Sequence, residues 1–121
     1  MYMKNFKELI IWQKGIEIVK KVYHLTKQFP VQEKYGIISQ MTRAAVSISA
    51  NIAEGSSRDS DKDYTRFLQL ALGSAFELQT YLVIVKEMQW ASVDEIIQVE
   101  LILEEEIKMI HSFIKKLKAN S

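Results

Sequence analysis

The chain has no cysteine, a single proline and only four glycines among 121 residues. Without cysteine it forms neither disulfides nor thiolate metal sites, and such a protein suits a reducing compartment, so a cytoplasmic location is expected. Scarce proline and glycine argue against a β-sandwich or barrel, whose short strands need turn residues at close intervals. All-α is the remaining default. With 48% hydrophobic residues there is apolar material for one core, and the expected domain spans 1–121. The N-terminal stretch lacks the uninterrupted apolar core and small-residue cleavage site of a secretory signal. The apolar run 67–85 approaches bilayer length, but Gln69, Ser74, Glu77, Gln79 and Thr80 interrupt it. A buried helix is expected there, with no membrane partner.

A local shortage says more. No lysine lies between Tyr35 and Gly55, where Arg43 is the one strong cation. Ile38, Met41, Ala45, Ile48 and Ile52 recur at spacings of three and four and form one helical stripe. Gln40, Arg43, Ser47, Asn51 and Glu54 form a polar stripe beside it, and Ala44, Val46, Ser49, Ala50 and Ala53 fill the rest. A helix with one side in water normally carries several charges there, so this one is expected to be buried nearly all round. Between Phe67 and Val85 the only charge is Glu77, and the same expectation follows for that segment.

The periodicities and caps predict four helices, over 6–27, 31–54, 61–88 and 93–118. Asn5 suits the N-cap of the first, whose stripe is Leu9, Trp12, Ile16, Val19 and Tyr23, widened by Ile18, Val22 and Leu25. Phe29-Pro30 ends it, because the residue before a proline is pushed out of the helical region. Gly55 suits a left-handed cap after the second helix. Ser60 with Asp63, and Ser92 with Glu95, read as capping boxes opening the third and fourth. The third carries Tyr64, Phe67, Leu68, Ala71, Ala75, Leu78, Leu82 and Val85, with Gly73-Ser74 predicting a close backbone approach. The fourth carries Ile96, Val99, Leu103, Ile107, Ile110, Ile114 and Leu117, and its Glu104-Glu105-Glu106 run is expected to face solvent.

Two charged amphipathic helices flanking two nearly uncharged ones leave too much apolar surface for an isolated up-down four-helix bundle. A homo-oligomer through the second and third helices is the expected solution. Arg43 and Glu77 are the lone central charges of those helices, and an antiparallel pair turning near Gly55 would set them at similar heights. One buried polar network is therefore expected, made of Gln40, Arg43, Ser47, Asn51, Glu54 and Glu77, with a polar pore or pocket as its functional alternative.

Nothing reads as an active site. His24 and His111 have no ligand partner at metal spacing, and Lys108 stands where a di-iron Glu-x-x-His motif would need glutamate. Ser47, Ser49 and Ser74 have no base nearby in sequence, and Trp12 belongs to the apolar stripe. No catalytic residue, metal, cofactor or small-molecule substrate is expected. The formal charge of +1 hides an asymmetry: residues 1–60 hold nine Lys/Arg against five Asp/Glu, and residues 61–121 hold seven against ten. The basic half contains Lys7, Lys14, Lys20, Lys21 and Lys27 on the first helix, a candidate nucleic-acid-binding face.

The order Trp12-Gln13-Lys14, Phe29-Pro30, Tyr35-Gly36, Gln40, Arg43-Ala44-Ala45-x-Ser47-Ile48, Asn51-Ile52-Ala53-Glu54-Gly55, Gly73-Ser74 and Glu77-Leu78 resembles the 23S rRNA intervening-sequence proteins, small bacterial four-helix bundles. The resemblance covers nearly the whole chain and is most specific from Arg43 to Gly55. It implies an up-down bundle assembling as a ring-like homopentamer, non-enzymatic, and kinship with the accessory proteins of diversity-generating retroelements, which bind nucleic acid and a reverse transcriptase. Those accessory proteins are strongly basic, whereas this chain is nearly neutral. Two functions are therefore carried forward: an oligomer binding RNA or DNA through the basic face, and a structural or adaptor oligomer binding another protein.

Overall fold

The computed structural model describes residues 5–120, so positions 1–4 and 121 of the expected 1–121 domain lie outside it. Four helices dominate: α1 (Ile10–Thr26), α2 (Ser39–Ser56), α3 (Asp61–Met88) and α4 (Val93–Ala119). No strand occurs among the described residues. Each helix packs on its neighbours in sequence, and α1 closes the square against α4. Cross-helix pairs fix the directions: Ser47 with Ser74 and Gln40 with Tyr81 make α2 and α3 antiparallel, while Lys14 with Glu105 and His24 with Glu95 do the same for α1 and α4. This is an up-down four-helix bundle.

Local chemistry sets the boundaries. Ser60 Oγ accepts from the Asp63 amide at 3.1 Å and Ser92 Oγ from the Glu95 amide at 3.4 Å, satisfying orphan donors at the starts of α3 and α4. Asn5 caps a 3-10 turn at Phe6–Glu8 instead of α1 itself, which begins after extended Leu9. The expected helix over 31–54 starts late, because Val31–Glu33 is a 3-10 turn and Lys34–Ile38 a π-type turn interrupted by non-helical Gly36. Gly55 is not a left-handed cap. It lies inside α2, where a Cβ would meet Phe67 Cβ and Tyr64 Cδ1 at 2.9 Å, so glycine here permits α2 to approach α3 closely. The one left-handed residue among those described is Gln89 (φ 59°), which ends α3 with the Trp90 amide reaching back to the Val85 carbonyl. Gln28 then accepts from the Ser92 amide at 2.8 Å, and Phe29 packs on Trp90 with ring centres 6.0 Å apart.

The core takes Met41, Ala45, Ile48 and Ile52 from α2, Leu68, Ala75, Leu78 and Leu82 from α3, and Ile96, Leu103 and Ile110 from α4. Each large aliphatic side chain buried there contributes about 1.5–3 kcal/mol relative to exposure. In α1 the fully buried set is Ile11, Ile18, Val22 and Leu25, with Leu9, Trp12 and Val19 only partly covered and Tyr23 exposed. The expected stripe is thus displaced. The reason is Gly15, which turns its bare backbone to α2 and α4 and centres the buried face on its own position.

Candidate functional site

The outer surface of α2 and α3 is open. On α2 it comprises Arg43, Val46, Ala50 and Glu54; on α3 it comprises Leu70, Gly73, Phe76, Glu77, Thr80, Val83 and Ile84. Leu70, Phe76 and Val83 are each about half exposed, at 48%, 49% and 53%. The expectation of all-round burial therefore fails within one chain, because a square of four helices leaves every helix one outward face. Gly73 belongs to that face: a Cβ there would meet nothing within 4 Å. The close approach expected at Gly73 does not occur inside the bundle.

The expected single buried network is likewise divided. Gln40, Arg43, Glu54 and Glu77 are exposed, and Ser47 and Asn51 are half-buried. Arg43 makes no ion pair with Glu77, and no ion-pair partner for it occurs among the described residues. Glu77 instead accepts from the Tyr81 hydroxyl at 3.0 Å, and Gln40 lies 2.8 Å from the same hydroxyl. Desolvation and the Glu77 contact push the Tyr81 phenol above its ordinary pKa. Ser47 accepts from Ser74 Oγ and from Asn51 Nδ2, both at 2.9 Å. Glu54 turns away to Arg58 at 2.8 Å, joining an ion-pair cluster with Asp63 and Arg66 at the α2–α3 turn. There Arg58 and Arg66 both stack on Phe67, each 4.5 Å from the ring centre. The cleft of about 990 Å³ beside this turn is lined by those two arginines, already committed to carboxylates.

The five candidate lysines do not share one surface. Lys20 and Lys27 are exposed, with exposed Tyr23 between them. Lys14 and Lys21 lie about 120° around the helix from them at 100° per residue, on the edge facing α4. Lys14 is 22% exposed and 3.6 Å from Glu105. Lys21 is half-buried beside Glu17, His24 and Glu95. Lys7 stands apart on the 3-10 turn near the Phe6 ring.

One acid expected at the surface is interior. Glu104 and Glu105 face solvent, but Glu106 is 0% exposed, and both its carboxyl oxygens lack a hydrogen-bond partner. Burial pushes its carboxyl up to about 8, against the opposing pull of Lys14. The signal was in the spacing: Glu106 falls three residues after Leu103 and four before Ile110, on the core stripe.

α3 is the one described helix long and apolar enough to cross a membrane, and its Leu68–Val85 stripe packs inside the bundle. The family model for the 23S rRNA-intervening sequence protein matches residues 7–112. Among solved structures, a protein of unknown function from the S23 ribosomal protein family of Bacteroides thetaiotaomicron is similar, with a TM-score of 0.81 and 24% identity. The alignment covers 88% of this chain and 99% of that one, a likeness of fold. No curated protein matches.

Proposed function

The chain belongs to the 23S rRNA-intervening sequence protein family, and from that premise we propose that it works as a non-enzymatic, cytoplasmic homo-oligomer, five subunits in a ring, that presents nucleic acid with repeated copies of α1. The observation carrying this reading is the uncovered α2–α3 face, which exposes the charges Arg43 and Glu77 together with half-exposed Leu70, Phe76 and Val83. Arg43 stands on its α2 side and Glu77 on its α3 side, so the α2 side of one copy can pack on the α3 side of the next, a head-to-tail contact of the kind that closes into a ring and removes apolar surface from water. Arg43 of one copy then meets Glu77 of the next.

Nucleic-acid binding rests on Lys20, Tyr23 and Lys27, an exposed run able to contact phosphate and stack on a base. Lys7 adds charge at one end, while Lys14 contributes less because Glu105 already faces it and Lys21 less because it is half-buried. A ring multiplies one weak site by its copy number when the copies engage one strand together. Titration of single-stranded RNA and DNA at several salt concentrations tests this. Affinity should fall steeply with salt, and Lys20→Glu with Lys27→Glu should abolish binding. An intact oligomer that binds neither polymer at low salt would replace this reading with the adaptor that binds another protein.

A further inference from the structure

The junction of α1, α2 and α4 holds a group that self-association does not use. Glu106 is enclosed, and neither of its carboxyl oxygens finds a donor. Gly15 leaves the room it occupies: a Cβ on Gly15 would lie 3.3 Å from Glu106 Oε2 and 2.1 Å from Ser49 Oγ. The Ser49 hydroxyl donates to the Trp12 carbonyl at 3.3 Å, so its proton is directed to α1. The charges around this junction are few. Lys14 of α1 faces the acid electrostatically and stands 3.6 Å from Glu105, on the same helix as Glu106. α2 presents uncharged Ser49, and no group of α3 contributes to the electrostatics of Glu106. An ionised carboxylate without donors is strongly disfavoured in such a place, whereas a neutral acid is tolerated.

We propose that Glu106 is a buried proton-binding site that controls the α1–α4 seam: with the proton bound the acid is neutral and the seam closes around it, and loss of the proton to bulk water leaves a carboxylate that draws water into the seam and loosens α1. Burial pushes the carboxyl up to about 8, which places the change just above neutral pH. Because Lys14 already lowers that value, removing its charge should make Glu106 hold its proton more tightly.

Carbon-13 NMR of the Glu106 carboxyl, with Trp12 fluorescence read in a Trp90→Phe background, tests the proposal across about pH 5 to 10, a range above the ordinary glutamate value. The carboxyl should titrate well above that ordinary value, and Trp12 should change with the same midpoint. Lys14→Met should raise the proton affinity and move the midpoint to higher pH. Glu106→Gln should leave Trp12 unresponsive over this range. A carboxyl titrating with ordinary glutamates, a midpoint unmoved by Lys14→Met, or a Trp12 transition unchanged in Glu106→Gln would each overturn the proposal. The first two readouts need only the wild-type chain and Lys14→Met, so the test survives if Glu106→Gln does not fold.

Discussion

The α1–α4 seam and the outer face of α2–α3 are opposites. The seam is closed around an acid, and its glycine, Gly15, is filled by neighbours to within 2.1 Å of where a Cβ would sit. The outer face is open, its two charges exposed, and its glycine, Gly73, has nothing within 4 Å. The same residue type in mid-helix thus stands in two settings: at Gly15 it makes room for a neighbouring helix of the same chain, and at Gly73 it leaves an uncovered surface. The charges teach the same lesson. An acid can be interior to one chain, as Glu106 is, while Arg43 and Glu77 stay exposed on the surface of another region.

The sharpest way to break this comparison is pH. Glu106 has its carboxyl raised from 4.5 to about 8 in the folded chain, so between those values the folded state holds a proton that the unfolded state has released. Its contribution to stability is therefore fully present below about pH 4.5, falls by about 1.4 kcal/mol per pH unit as pH rises toward 8, and levels off above it. Urea unfolding at fixed protein concentration measures this, and Glu106→Gln should remove that slope. An unchanged slope would mean that the seam holds no buried acid of this kind.

The glycines sharpen the contrast with smaller effects. Gly15→Ala adds a methyl that must displace Ser49 Oγ, and overpacking of about 1–3 kcal/mol exceeds the gain in helix propensity of about 1 kcal/mol. A net loss on the order of 1 kcal/mol is expected, with Ser49→Ala restoring most of it in a double-mutant cycle. Gly73→Ala has no steric cost within the chain, so a dissociated chain should gain up to about 1 kcal/mol. Weaker assembly in the same variant would place another copy against Gly73, and equal assembly would leave that glycine outside the contact.

Helix number, order and most boundaries could be read from spacing and caps, because period and capping chemistry are local. The core stripes of α2, α3 and α4 followed for the same reason. The α1 stripe followed only in part: Ile18, Val22 and Leu25, read as its margin, are its centre, since Gly15 has no side chain to mark the face it buries. The site was readable as a deficit of charge on α2 and α3, but the sequence does not say whether such a surface is covered by its own chain or by another. That ambiguity put Arg43 and Glu77 in one buried network. Glu106 was masked by two acidic neighbours that do face solvent, although its place between Leu103 and Ile110 put it inside.

The central claim is that the open α2–α3 face belongs against another copy of this chain, with Arg43 and Glu77 meeting across the contact. Sedimentation velocity at micromolar concentration tests it most directly. The wild type should sediment as a closed multiple of the 14.0 kDa chain, Arg43→Glu should dissociate it, and Arg43→Glu combined with Glu77→Arg should restore it. A wild-type chain that sediments at 14.0 kDa would contradict the account.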